Sequence, residues 1–248
     1  MNDRLSPHVI TADVTCTVAN FTPNVYMQLG DTDSNHGVMF GNLDGYGDVA
    51  VKPHAKVQRA RREAETLEIA IERGVLAVEP IMVAEGDLSN YLITKRKPDL
   101  HHLGQNDWAV LADSPTLVSV IEPALAVAAM SIATRHKHGL YKLDSQVKNI
   151  VVDKCCNPVH VDSEATLVNV PLEMRAKHGN LDLRNLGCSA LYRGLLADQP
   201  QAERIEFLSK KLLDPYFDQI NPDLFPLASA DRKLAIRASY ADYFDKRA

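Results

Sequence analysis

The sequence predicts an α+β fold in two lobes, with a sheet-rich lobe over residues 1–94 and a mainly helical lobe over 95–248. Three observations predict it. Strand-like alternation crowds the first part of the chain, helical periodicity dominates the rest, and a polar stretch from Lys95 to Asn106 divides them. Strands followed by helices, rather than strands alternating with helices, argue for segregated layers. The length of 248 residues suits one large domain or two small ones.

The elements follow in order. Ile10, Ala12, Val14, Cys16 and Val18 alternate with mostly polar residues, which predicts a half-buried strand over 8–19. Strands are predicted at 24–30, 37–43 and 48–54, separated by DTDSNH and DGYG, whose Asp, Asn and Gly suit hairpin turns. A helix is expected over 55–73, because Val57, Ala60, Ala64, Leu67 and Ile71 recur at helical spacing before Gly74. Strands at 78–86 and 90–97 complete the sheet. A long helix over 116–138 follows DSPT, with Asp113 or Ser114 as N-cap and Pro115 in the first turn. Short strands are expected at 149–153 and 158–162 around a KCCN turn, and helices at 181–196, 202–213 and 229–247.

Composition narrows the function classes. Hydrophobic residues make up 46% and charged residues 24%, which excludes global disorder. Lys and Arg number 27 against 32 Asp and Glu, a net charge of −5, so there is no nucleic-acid signal in the overall charge. Four cysteines make no disulfide scaffold, and adjacent Cys155 and Cys156 are not a C-x-x-C pair. Reduced thiols, no signal-peptide pattern and no apolar run of 18 residues lead to the expectation of a cytoplasmic protein without membrane insertion.

Chemistry-bearing residues occur in an informative order. VAVK ends in Lys52 on the last strand of the meander. Glu63, three residues after Ala60 and four before Leu67, borders the inward stripe of the following helix and needs a cation there, with Lys52 the nearest candidate. LYKLDSQVKNIVVD places Asp144 and Asn149 five residues apart, and VHVDSE places Asp162 after the KCCN turn. Two antiparallel strands around that turn would set Asn149 beside Asp162, two oxygen donors suited to a hard cation. Asp144 would lie a short loop away, able to accept a proton from a hydroxyl.

This ordered set resembles the eukaryotic-type protein kinase fold and its smaller relatives. Val49-Ala50-Val51-Lys52 matches V-A-I-K, Glu63 matches the helix Glu, Asp144 and Asn149 match the catalytic loop, and Asp162-Ser163-Glu164 stands at D-F-G. REAETL and EPIMV are similar to the corresponding helix and strand of aminoglycoside phosphotransferase-like kinases. Asp182 resembles the helix Asp that braces the catalytic loop. The resemblance implies ATP and Mg²⁺ as cofactors. Lys52, held by Glu63, would contact the α- and β-phosphates, Asn149 and Asp162 would hold the metal, and Asp144 would orient a hydroxyl acceptor. Thr94, Lys95 and Arg96, continuing to Lys97, would form the segment meeting the adenine edge. The acceptor, a protein or a small molecule, is not specified.

Departures from the pattern are equally concrete. The nucleotide turn LGDTDSNHGV has only Gly30 and Gly37, with Asp31 and Asp33 between them, so Thr32 and Ser34 are the hydroxyls available to phosphate. Leu143 stands where protein kinases carry the Arg that pairs with a phosphorylated loop. The segment between Asp162 and Asp182 is short, and no A-P-E occurs. These features imply a minimal phosphotransferase; a pseudokinase serving as a nucleotide-binding or interaction module is the alternative. His101-His102 and His136-x-His138 lack zinc-site spacing, His136 and His138 suit a helix C-terminus, and Lys142 could neutralise phosphate or face solvent. Trp108, Tyr192, Tyr216, Tyr240 and Tyr243 are read as packing aromatics.

Overall fold

The computed structural model describes residues 11–12, 21–27, 38–85, 90–97, 100–102 and 121–246. The chain forms two compact units. The first comprises Met1–Glu72, Ala77–Pro98 and Val161–Glu164; the second comprises Arg73–Leu76, Asp99–His160 and Ala165–Ala248.

The first unit is built on strands β1 (Thr11–Ala12), β2 (Phe21–Met27), β3 (Val38–Leu43), β4 (Gly47–His54), β5 (Pro80–Glu85) and β6 (Asn90–Lys95). All pairings are antiparallel, in the order β1-β5-β6-β4-β3-β2. The expected DGYG turn joins β3 to β4, with Gly45 and Gly47 at φ of 82° and 77°, values a side chain would resist. Only Thr11 and Ala12 of the strand expected over 8–19 fall within the described residues. In β4, Val49 and Val51 point into a core with Leu43, Ala84, Tyr91 and Ile93, while Lys52 points to the other face.

Helix α1 (Val57–Glu72) follows, and Gly74 at φ 79° ends its reach. Its orientation differs from the one read off the apolar spacing. Ala60, Glu63, Thr66, Leu67 and Ala70 are buried, whereas Ile71 is 42% exposed. Glu63 therefore sits in the middle of the inward face, not at its border. The apolar count alone misplaced the stripe because a paired carboxylate counts as inward here.

The second unit contains α2 (Glu122–Lys137), α3 (Leu172–Tyr192), α4 (Gln201–Leu208), α5 (Asp214–Gln219) and α6 (Ser229–Asp245). Asp113, Ser114 and Pro115, the expected cap of α2, and Trp108 lie outside the described residues. Helix α2 is Ala-rich and buried around most of its circumference. Between α4 and α5 the chain runs through a π-helical turn, Ser209–Leu213, so the expected helix over 202–213 is not uniform. Short strands β7 (His101–His102), β8 (Leu140–Lys142), β9 (Val151–Val152) and β10 (Thr166–Val168) pair as β7 with β9 and β8 with β10. The strand expected over 149–153 is confined to Val151–Val152, because Val147–Asn149 close a 3₁₀ turn. The strand expected over 158–162 is reduced to a bridge between Val152 and Pro158 and the bond from Val159 N–H to the Val151 carbonyl.

Helix α3 begins well before the expected start near residue 181, running through Gly179 and Asn180, residues that usually weaken helices. Packing explains both glycines in it. A Cβ at Gly179 would meet the Arg232 guanidinium at 3.0 Å and Phe225 at 3.2 Å, and one at Gly187 would overlap the Tyr240 ring. Tyr240 is fully buried and donates its hydroxyl to the Leu183 carbonyl at 3.0 Å, so it cannot swing away cheaply. Gly187→Ala is therefore expected to destabilise the protein by about 1–3 kcal/mol through overpacking, despite alanine's better helix propensity. A denaturation midpoint equal to or above that of the wild type would contradict this. Tyr216 and Tyr240 are core residues as expected, whereas Tyr192, at the end of α3, is 62% exposed.

Candidate functional site

The chemistry-bearing residues fall into two groups, one in each unit. In the first unit, the alternation of β4 places Lys52 on the face opposite Val49 and Val51, and α1 presents Glu63. The Lys52 ammonium lies 3.0 and 2.9 Å from the two Glu63 oxygens and 2.5 Å from Asp162 Oδ1. Burial pulls the Lys52 ammonium down, but the Glu63 and Asp162 carboxylates outweigh it and raise its pKa, so it is a fixed cation. Burial pushes the Glu63 carboxyl up, while the His54 ring and Lys52 pull it further down, leaving it ionised.

Asp162 adopts φ 54°, a left-handed conformation that Asp tolerates better than most residues. Its neighbour Ser163 is fully buried and donates its backbone N–H to Glu63 Oε1 at 3.0 Å. Glu164 lies 3.1 Å from Arg59 and 3.7 Å from His54 Nδ1, and His54 Nε2 lies 3.1 Å from Glu63. Sequence reasoning gave His54 no role and did not pair Arg59 with Glu164.

Thr94 is buried at the end of β6. The Lys95 amide donates to the Glu79 carbonyl at 2.8 Å and the Arg96 amide to the Asp48 carbonyl at 3.0 Å, so those two amides are engaged within the sheet. The Arg96 guanidinium lies 5.1 Å over the Phe40 ring, and Lys97 donates its ammonium to the Ala77 carbonyl at 2.8 Å. Thr32 and Ser34, with the whole turn that holds them, lie outside the described residues.

In the second unit, the loop after β8 carries Asp144 and Asn149. One face of α3 grips it. Asp182 Oδ2 accepts from the Lys142 amide at 3.1 Å, Asn185 donates to the Leu143 carbonyl at 2.5 Å, and the Val147 amide donates to Ser189 Oγ at 3.2 Å. Positions 182, 185 and 189 are three and four residues apart, the spacing of one helix face. That polar stripe was readable in LDLRNLGCS, yet only Asp182 was singled out. The Leu143 amide donates to the Ala165 carbonyl at 3.0 Å, fixing the loop from its other side.

Behind the loop is a buried polar network. Asp182 has no exposed surface and lies 3.3 Å from Arg135 and 3.2 Å from His136 Nε2. Burial pushes the Asp182 carboxyl up, but Arg135 and His136 hold it down at about 2. His136 is not an exposed helix-end histidine. Its Nδ1 is 2.8 Å from the Tyr216 hydroxyl and its ring stacks on Tyr141 at 4.7 Å, while burial lowers its pKa and keeps it neutral. Arg232 closes the network, donating to Asn180 at 2.9 Å and to Tyr216 at 3.1 Å, with its guanidinium 3.6 Å over the Phe225 ring.

Lys142 is 1% exposed, so it does not face solvent; its ammonium is 3.9 Å from Asp144 Oδ1. With Arg135, Ser145 and Asn149 it borders a small cavity. The Asp144 side chain is 41% exposed. Asp162 in the first unit offers carboxylate oxygens and Asn149 in the second an amide oxygen, each a donor whose chemical type suits Mg²⁺.

No protein-family model matches the sequence, and no curated protein matches it. Solved structures do match along nearly the whole chain. A rhoptry kinase from Toxoplasma gondii is similar with 13% identity and a TM-score of 0.56 over 96% of this chain and 86% of that one. The kinase domain of Mycobacterium tuberculosis PknI is similar with 16% identity and a TM-score of 0.51 over 95% and 99%. A Toxoplasma gondii virulence factor described as having a protein-kinase fold and no enzymatic activity is similar with 12% identity and a TM-score of 0.52 over 94% and 86%. The chain has a protein kinase-like fold, with antiparallel strands and helices in the α+β arrangement expected from the sequence. Among the described residues, no helix is long and apolar enough to cross a membrane.

Proposed function

We propose that this chain is an ATP- and Mg²⁺-dependent phosphotransferase of minimal kinase-like type, transferring the γ-phosphate to a hydroxyl on a protein or small molecule. The observation that carries this reading is the Lys52 ammonium held between the carboxylates of Glu63 and Asp162. A lysine fixed in this way is a permanent positive charge for the α- and β-phosphates, and Glu63 prevents it from following a departing ligand. Asp162 and Asn149 would hold Mg²⁺, which neutralises the charge developing on the transferred phosphoryl group. Asp144, on a loop anchored by three side chains of α3, orients the acceptor hydroxyl and accepts its proton. The segment from Thr94 to Lys97 would meet the adenine edge.

A second reading, a pseudokinase that binds nucleotide or partners without transfer, is favoured by one observation: a structural neighbour with the same fold has no enzymatic activity. Two measurements separate them. Thermal shift with ATP and Mg²⁺ is expected to raise the melting temperature, and no rise would overturn the nucleotide reading. Transfer of radiolabelled γ-phosphate to lysate proteins or small molecules is expected for the wild type and should vanish in Asp144→Ala and Asp162→Ala. Binding without transfer establishes the pseudokinase, and transfer persisting in both variants refutes the assigned roles.

A further inference from the structure

The three residues 162–164 belong to the first unit, and each is fastened to it by a different contact. Asp162 bonds Lys52, the Ser163 amide bonds Glu63, and Glu164 meets Arg59 and His54. Glu164 stands where a glycine completes D-F-G in the pattern that the sequence resembles, so its carboxylate is an addition to that pattern. His54, 3% exposed, lies between two carboxylates: Glu63 near one ring nitrogen and Glu164 near the other. The trio is not a metal site, because the two carboxylates address different nitrogens of the ring and the Lys52 ammonium already occupies Glu63.

We propose that Glu164, Arg59 and His54 are positioning residues: a charged clasp that holds the 162–164 segment on α1 and β4 and so fixes the direction of Asp162. The inference rests on the phosphotransferase reading for its consequence, since the direction of Asp162 matters only if it holds a metal with nucleotide. The physical need is plain. Asp162 sits in a left-handed conformation that an unconstrained chain visits seldom, and Lys52 alone cannot keep it there while also contacting phosphate. Anchors on the two following residues take over that task. Because Leu143 supplies no arginine for a phosphorylated loop, the clasp gives the segment a built-in tether in its place.

The test is a double-mutant cycle on Arg59→Gln and Glu164→Gln, both at partly exposed positions, read by hydrogen exchange of the Ser163 amide in the nucleotide-free protein. Each single variant is expected to speed exchange by about 2- to 5-fold, the range for a partly exposed ion pair, and the double variant to be no faster than the singles. Unchanged exchange in both singles, or additive effects in the double, overturns the clasp. A parallel titration gives the consequence: Mg²⁺·ATP affinity should fall by a similar factor in the variants. Faster exchange with unchanged Mg²⁺·ATP affinity overturns the positioning of Asp162. A wild type showing no Mg²⁺·ATP-dependent thermal shift overturns the phosphotransferase reading instead, and the exchange cycle still decides the clasp.

Discussion

Asp182→Asn is expected to destabilise the protein by about 3–5 kcal/mol, the usual cost of stripping one partner from a buried ion pair. Asp182 has no exposed surface, and its carboxylate faces Arg135, His136 and the Lys142 amide. Asparagine keeps the shape and can still accept from the amide, but it leaves the Arg135 charge buried and unbalanced. At roughly 2–4 °C per kcal/mol for a chain of this size, the melting temperature should fall by about 6–20 °C. The acid limb adds a second signature. Asp182 titrates lower folded, at about 2, than unfolded, at 3.8, so its stabilisation is present above pH 3.8 and drains away as pH falls toward 2. The wild type should lose roughly 2 kcal/mol across that window, and the Asn variant, which has nothing to protonate there, should be flatter. A melting shift of only a degree or two, or parallel acid limbs, would show that the network is not an ionic support.

Lys52→Met is expected to lower phosphoryl transfer by about 100- to 1,000-fold, the usual range for losing one preorganised charge or donor at a reacting group. The geometry gives two reasons. Methionine removes the cation for the phosphates, and it also leaves Glu63 and Asp162 without the charge that separates them. Lys52→Arg tests the second reason, since it restores charge but not the compact ammonium that fits 2.9 Å from Glu63 and 2.5 Å from Asp162. Transfer within tenfold of wild type in the Met variant, assayed with labelled ATP, would remove Lys52 from the mechanism.

Local signals in the sequence carried much of the fold. Alternation placed β3 and β4, the DGYG turn joined them, and Gly74 marked the end of α1, because each depends on neighbours in the chain. Features that depend on distant partners were hidden. The early start of α3 is masked by Gly179, whose missing side chain makes room for Arg232 on a helix that follows far along the chain. His136 reads as a helix-end histidine until Asp182 and Tyr216 close around it. Glu63 reads as a border residue until Lys52, His54 and the Ser163 amide make the centre of the face the favourable place for a carboxylate. Arg59 and Glu164, more than 100 residues apart, share no local pattern at all. The order of motifs named Lys52, Glu63 and Asp162 together, and the structure brings both carboxylates to the Lys52 ammonium.

The membership of residues 161–164 in the first unit has a consequence for how the protein is made. Lys52 and Asp162 are 110 residues apart in the chain. At about 5–20 residues per second, a ribosome needs roughly 5–20 s after releasing Lys52 to deliver its second carboxylate. During that interval the rest of the first unit lacks residues 161–164. A gene fragment ending near residue 94 would reproduce this incomplete state permanently. Supplying the missing strip as a separate peptide spanning 158–168 is therefore a natural complementation partner for such a fragment.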